Sequence, residues 1–192
     1  MLYLVRHGRT AHNASRKLLG RLDVPLDDLG VQQAQALGRV GFLHDSVRVV
    51  TSPLARARDT ASALGPPVFV DNRWTEIDYG EYDGADLGTV PELWEAWTAD
   101  LGYAPPGGES LLAVGERVRQ ACAELWEEAA TQDVVVVTHV SPLKAAVAWA
   151  LAVGDEVCWR MFVDVASVSA IGSGGRAPTL RSFNETHFRP SS

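Results

Sequence analysis

The pattern of apolar and polar positions picks out three short runs rich in β-branched residues: LYLV at 2–5, VRVV at 47–50 and VVVV at 134–137. Runs this short, with little alternation, predict strands buried on both faces, as in the middle of a parallel sheet. Helical periodicity fills the intervals. Asp27 or Asp28 predicts the cap of a helix in which Val31, Ala34, Leu37 and Val40 share one face. Two Ser-Pro pairs each predict an N-cap followed by proline at the first helical position. Ser52-Pro53 opens a helix over roughly 53–63, and Ser141-Pro142 opens one to about 152. Ser110 predicts the cap of a long helix to about residue 130, with Val114, Val118, Ala121, Leu125 and Ala129 turned inward. VASVSAIG at 165–172 and TLRSFNE at 179–185 read as late strands separated by the turn-rich SGGRAP. The aromatic stretch 77–108 predicts a helix near 91–100, inserted between core elements. Strands alternating with helices predict a layered α/β fold with a mostly parallel sheet flanked by helices.

Composition narrows the function classes. A chain of 192 residues suits one domain with a substantial core. A net charge of −7 argues against a nucleic-acid surface, so a polyanionic substrate would need a locally positive pocket. No apolar run approaches the roughly 20 residues of a membrane span. The five residues before Arg6 are too few for a signal-peptide core. Cys122 and Cys158 give no disulfide framework, and Cys122 falls in a helical pattern as a small core residue. A reducing cytoplasmic setting is therefore expected. Oligomeric state, monomer or homodimer, stays open.

The strand ends carry the candidate chemistry. The first strand runs into Arg6-His7. The second runs into Thr51-Ser52, with Arg56 in the next helical turn, and VVVV runs into Thr138-His139. Ligands of open α/β sheets bind beyond the carboxyl ends of the strands, so two arginines and two histidines are expected to converge there. Arginine forks match phosphate oxygens. Helix N-termini at 52–53 and 141–142 would add N–H donors, completing an anion cradle. A neutral histidine inside it can act as nucleophile or base. No metal and no cofactor is expected: the arginines would repel a cation, no HExxH motif or Cys/His cluster occurs, and neither GxxxxGK[ST] nor GxGxxG follows a strand.

RHGRTAHN at 6–13 with GRLDVPLDDLGVQQA at 20–34, SPLARARDTA at 52–61, RWTEIDYGEYDG at 73–84, GGES at 107–110 and VVTHVSPLKA at 136–145 resemble, in order, the motifs of the histidine phosphatase superfamily, the phosphoglycerate-mutase-like group. The resemblance implies one three-layer α/β sandwich over 1–192, with a substrate-specificity segment inserted at about 77–106. It implies His7 as the nucleophile that becomes a phosphohistidine. Arg6, Arg56 and His139 would bind the phosphoryl oxygens and stabilise transition-state charge, and Asn13 would be a further phosphate donor. Glu76 would give a proton to the leaving oxygen and then act as base for water. Arg58 competes with Arg56 on residue type, and Asp78 and Glu81 compete with Glu76. His12, His44 and His187 read as surface or packing residues, and Trp94 and Trp97 as packing ahead of a substrate box. Neighbouring cations are expected to hold the His7 pKa below its reference of about 6.5.

This chain departs from the family pattern at Arg9, where Glu is common, at Leu19 for Gln, at Val140 for Gly and at Lys144 for Arg. The HVSPLK form is similar to some α-ribazole-phosphatase-like members. The reading is a metal-independent phosphomonoester hydrolase acting on a small phosphorylated metabolite. A phosphoglycerate-mutase-type phosphotransferase is the alternative, disfavoured by the short middle segment, and a non-catalytic phospho-ligand module is a third.

Overall fold

In a computed structural model of the protein, residues 1–39, 47–65 and 67–186 are described. Six strands form one sheet: β1 (Leu2–Arg6), β2 (Arg48–Thr51), β3 (Val68–Val70), β4 (Val134–Thr138), β5 (Val168–Gly172) and β6 (Thr179–Glu185), in the order β3-β2-β4-β1-β5-β6. The first four are parallel, whereas β5 and β6 close one edge antiparallel. The sheet is therefore mixed, with its parallel part at the site. The short edge strand β3 escaped the sequence reading because it has only three residues and leaves Phe69 and Val70 exposed.

The helices are α1 (Ala11–Ala14), α2 (Asp28–Leu37), α3 (Ala55–Ser62), α4 (Pro91–Ala99), α5 (Leu111–Glu128) and α6 (Val140–Leu151). They cover both faces of the sheet, which is why the central strands read as unbroken apolar runs. Leu2, Leu4, Val134 and Val136 pack with Val114, Val118 and Leu125 of α5 and with Leu143 and Val147 of α6. The alternate residues Val5, Val49, Val135 and Val137 pack on Leu37 of α2 and on Ala57 and Ala61 of α3. Cys122 and Cys158 are free and buried.

Ser110 caps α5 through the Ala113 N–H, and Asp27 caps α2 through the Gly30 N–H. The buried face of α2 differs from the expected one: Gly30, Gln33, Ala34 and Leu37 point inward, while Val31 is exposed. Gln33 turns in because its Oε1 accepts the Arg9 N–H at 2.9 Å, tying α2 to the loop after β1. Gly8 and Gly30 make that docking possible, since a Cβ on Gly30 would lie 2.0 Å from Arg9 O and one on Gly8 would lie 2.5 Å from Gly30 O. Val40, His44 and His187 fall outside the described residues.

Neither Ser-Pro pair caps its helix as expected. The first helical residue of α3 is Ala55, preceded by Leu54, and Ser52 Oγ accepts the Leu54 N–H at 3.2 Å. The N-cap of α6 is His139, which places Ser141 inside the first turn. The cap of α6 directly follows β4, ahead of Ser141, whereas the cap of α3 lies two residues beyond Ser52.

Candidate active site

Register brings the strand ends level. Arg6 pairs with Thr138 across β1 and β4, and Thr51 pairs with Val137 across β2 and β4. The next residue on each strand is His7, His139 and Ser52. The His7 N–H donates to Thr138 O at 3.0 Å, and the two imidazole centroids are 5.0 Å apart.

His7 is almost fully buried, and its Nδ1 lies 2.7 Å from Gly8 O. A carbonyl only accepts, so Nδ1 carries the ring proton and Nε2 keeps its lone pair. Burial, then the charges of Arg56 and Arg6, pushes the His7 pKa well below the ordinary imidazole value, against the Gly8 hydrogen bond. The direction matches the sequence expectation, but burial rather than neighbouring charge is the larger cause. His139 is pushed down in the same way, by burial first and then by Arg56, His7 and Arg6. That shift favours the neutral imidazole over the protonated one. Its Nε2 lies 2.7 Å from Ser52 Oγ. A hydroxyl donates once and accepts twice, so Ser52 Oγ can take the Leu54 N–H and still give its own proton to Nε2; in that arrangement the His139 ring proton is on Nδ1.

The two arginines are held by backbone carbonyls. Arg6 Nη1 donates to Val163 O at 2.7 Å. Arg56, fully buried, donates from Nη1 to Leu22 O and from Nη2 to Gly20 O, each at 2.8 Å. Burial pulls the Arg56 pKa down to about 10, which leaves the guanidinium charged at neutral pH. Arg6 Nε, Arg56 Nε and His139 Nδ1 are buried without a hydrogen-bond partner among the described residues. An unpaired buried donor costs about 1–3 kcal/mol, and the charges of Arg56 and Arg6 both act on His139, so these three residues are close enough to share an acceptor-rich ligand.

Glu76 is buried at the same point. Its Oε1 accepts from Ile77 N at 2.9 Å and Ser141 N at 3.0 Å, and Oε2 accepts from Val140 N at 3.0 Å. The N-terminus of α6 is thus occupied by Glu76. That of α3 is occupied by Asp23, whose Oδ1 accepts the Ala55 N–H at 2.6 Å. The anion cradle expected from these helix ends is instead taken up by two carboxylates of the chain.

Arg6, His7, Asn13 and Glu76 line a cavity of about 920 Å³, while Arg56 and His139 are fully buried and do not line it. Asn13 Oδ1 accepts from Thr10 N and Thr10 Oγ1, which leaves its NH₂ to donate elsewhere. Among the competitors, Arg58 and Glu81 are exposed, and Asp78 Oδ1 is engaged by Gly80 N in a turn. Trp94 lines the cavity, whereas Trp97 is core, with its indole N–H on Tyr103 O at 3.0 Å. Arg9 Nε pairs with Asp27 Oδ2 at 2.8 Å. Phe162, Val163, Asp164 and Val165 also line the cavity: the first three belonged to no expected element, and Val165, expected to open the strand at 165–172, precedes β5, which begins at Val168. Among the described residues, no group of His, Cys, Asp and Glu side chains is arranged to hold a metal ion, and no helix is long and apolar enough to cross a membrane.

The Histidine phosphatase superfamily (branch 1) profile matches residues 2–186. The chain belongs to this superfamily. It is 35% identical over 197 residues to the bifunctional protein Rv2228c of Mycobacterium tuberculosis, a match covering 97% of this chain and 54% of that protein. The histidine phosphatase chain thus spans about half the length of that relative. It is 37% identical over 153 residues to a glucosyl-3-phosphoglycerate phosphatase of Mycolicibacterium vanbaalenii, covering 72% of this chain and 68% of the relative. Its fold matches that of a mycobacterial glucosyl-3-phosphoglycerate phosphatase solved with VO3, with a TM-score of 0.84, 31% identity, and coverage of 96% of this chain and 98% of that one.

Proposed function

We propose that this superfamily member is a metal-independent phosphomonoester hydrolase that works through a phosphohistidine on His7 and acts on a small phosphorylated metabolite. The observation that carries the reading is His7 itself: a neutral imidazole with Nδ1 tied to Gly8 O, its Nε2 lone pair free, and the charges of half-buried Arg6 and buried Arg56 acting on it. That a structural relative was solved in complex with VO3, a phosphoryl mimic, supports a phosphoryl site in this fold.

In the first step the Nε2 lone pair attacks phosphorus and the P–O bond to the leaving group breaks. Glu76 gives that oxygen its proton. Oε2 is the oxygen suited to carry it, having one backbone donor where Oε1 has two. In the second step water attacks phosphorus, the P–N pair returns to Nε2, and the water proton goes to Glu76. Arg6, Arg56 and the His139 Nδ1–H stabilise the phosphoryl oxygens, with Asn13 as a further donor. Phosphoryl transfer rests mainly on positioning and charge stabilisation, and this site supplies both.

Residues 77–106 contribute Tyr79, Asp86, Leu87, Gly88 and Trp94 to the cavity and serve as a specificity wall. A volume of about 920 Å³ suits a metabolite rather than a macromolecule. Phosphate release is measured in EDTA across glucosyl-3-phosphoglycerate, phosphoserine, phosphoglycerates, sugar phosphates, nucleotides and α-ribazole phosphate. Release from at least one substrate is expected. Activity lost in EDTA and restored by zinc or magnesium contradicts the mechanism. Interconversion of 2- and 3-phosphoglycerate without release makes the chain a mutase.

A further inference from the structure

The orientation of Arg56 has a source in a residue with no role assigned above. The carbonyls that hold its guanidinium, Gly20 O and Leu22 O, lie on a loop with no helix or strand of its own. All three N–H groups of that loop converge on one carboxylate. Asp83 Oδ1 accepts from Gly20 N at 2.8 Å, and Oδ2 accepts from Arg21 N at 2.7 Å and from Leu22 N at 2.8 Å. Gly20 C=O and Arg21 N–H belong to the same peptide unit. That unit is therefore bonded to Arg56 at one end and to Asp83 at the other.

The surrounding backbone reinforces the clamp. Leu18 N donates to Ala85 O at 2.8 Å and Gly84 N to Leu18 O at 3.0 Å. A Cβ on Gly20 would lie 2.7 Å from Ile77 O, so only glycine permits this approach. The cation on the loop itself, Arg21, bonds Glu109 through its side chain instead. Asp83 is thus engaged by backbone N–H groups of the loop that carries Arg56.

We infer that Asp83 is a positioning residue of the phosphoryl site, clamping loop 20–22 so that the Gly20 and Leu22 carbonyls hold Arg56 beside His7. The inference rests on the proposed role of Arg56 in binding the phosphoryl group. It also gives the start of the 77–106 segment a second task, building the catalytic pocket as well as its specificity wall. Hydrogen bonds at both ends of one peptide polarise it and strengthen each other, so losing the carboxylate loosens the grip on Arg56.

A mutant cycle separates this role from simple loop anchoring. Asp83→Asn and Asp83→Ser are each made in the native chain and with Arg56→Ala. The readouts are kcat/KM for p-nitrophenyl phosphate and inhibition by orthovanadate, with Tm as control. In the native background each Asp83 variant is expected to lower kcat/KM about tenfold and to weaken vanadate by a similar factor, a coupling within the range of neighbouring residues. With Arg56→Ala, either variant should change kcat/KM less than twofold. The same loss in both backgrounds, or a lower Tm with unchanged vanadate affinity, overturns the inference and leaves the site reading intact. If Arg56→Ala alone costs less than twofold, the proposed role of Arg56 fails and the inference fails with it.

Discussion

Replacing Glu76 by Gln tests the acid and the scaffold together, and the structure sets the size of both effects. The carboxylate accepts three backbone N–H groups, two at Oε1 and one at Oε2. A glutamine whose oxygen keeps the Oε1 bonds turns its NH₂ toward the Val140 N–H, donor against donor. One buried N–H is then unpaired, at a cost of about 1–3 kcal/mol. For a chain of 192 residues that lowers Tm by about 2–12 °C. The chemical loss has a different signature. Without the proton, substrates with alkoxide-like leaving groups should lose roughly 10²–10⁴-fold in kcat, the usual worth of general acid help. p-Nitrophenyl phosphate should lose far less, because p-nitrophenolate leaves without protonation. The assay is kcat across aryl and alkyl phosphates of graded leaving-group pKa, below the Tm of the variant. A steeper dependence on leaving group is expected. Equal losses across the series refute the acid role and move it to another group, with Asp78 the next carboxylate along the chain.

Three other perturbations bear on the same site. NMR titration of the free enzyme should find His7 and His139 still neutral below pH 6.5, because burial and arginine charge oppose the protonated form; the attacking species then persists into mildly acidic solution, and a His7 pKa at or above about 6.5 contradicts the account. Ser52→Ala removes the hydrogen bond to His139 Nε2 and should lower kcat roughly 3–10-fold, the value of one such bond; unchanged kcat shows that Ser52 does not matter to the ring. Trp94→Ala should reorder relative rates among natural substrates with little loss of Tm, whereas Trp97→Ala should lower stability by about 3–5 kcal/mol as a core truncation; the opposite pattern reverses their assignments.

What could be read in the chain was what depends on neighbours in sequence and on register. The apolar runs at 2–5 and 134–137 became paired central strands, and their continuity reflected two covered faces. Parallel pairing then places the residues after Val5, Thr51 and Val137 side by side, so Arg6, His7, Ser52 and His139 were found together from strand ends alone. Features set by distant residues were not legible. The α6 N-terminus is filled by Glu76, 64 residues away, and the α3 N-terminus by Asp23, so helix ends that look like anion sites in sequence are taken up by carboxylates of the chain. The lowered pKa of His139 follows first from burial, which no local pattern reports. The inward turn of Gln33 in place of Val31 follows from one hydrogen bond to Arg9. The Phe162–Val165 wall reaches the cavity through tertiary packing only.

The central claim is that phosphorus is transferred to His7 Nε2, and trapping the transferred group tests it most directly. The enzyme is mixed with a ³²P-labelled substrate and quenched within the first turnover. The account predicts a label on the protein that is acid-labile and alkali-stable, as a phosphoramidate is. It should map to the peptide containing His7 and disappear together with turnover in His7→Ala. A label that survives acid, or that maps to Ser52 or Ser141, contradicts the account and reduces His7 to a phosphate binder.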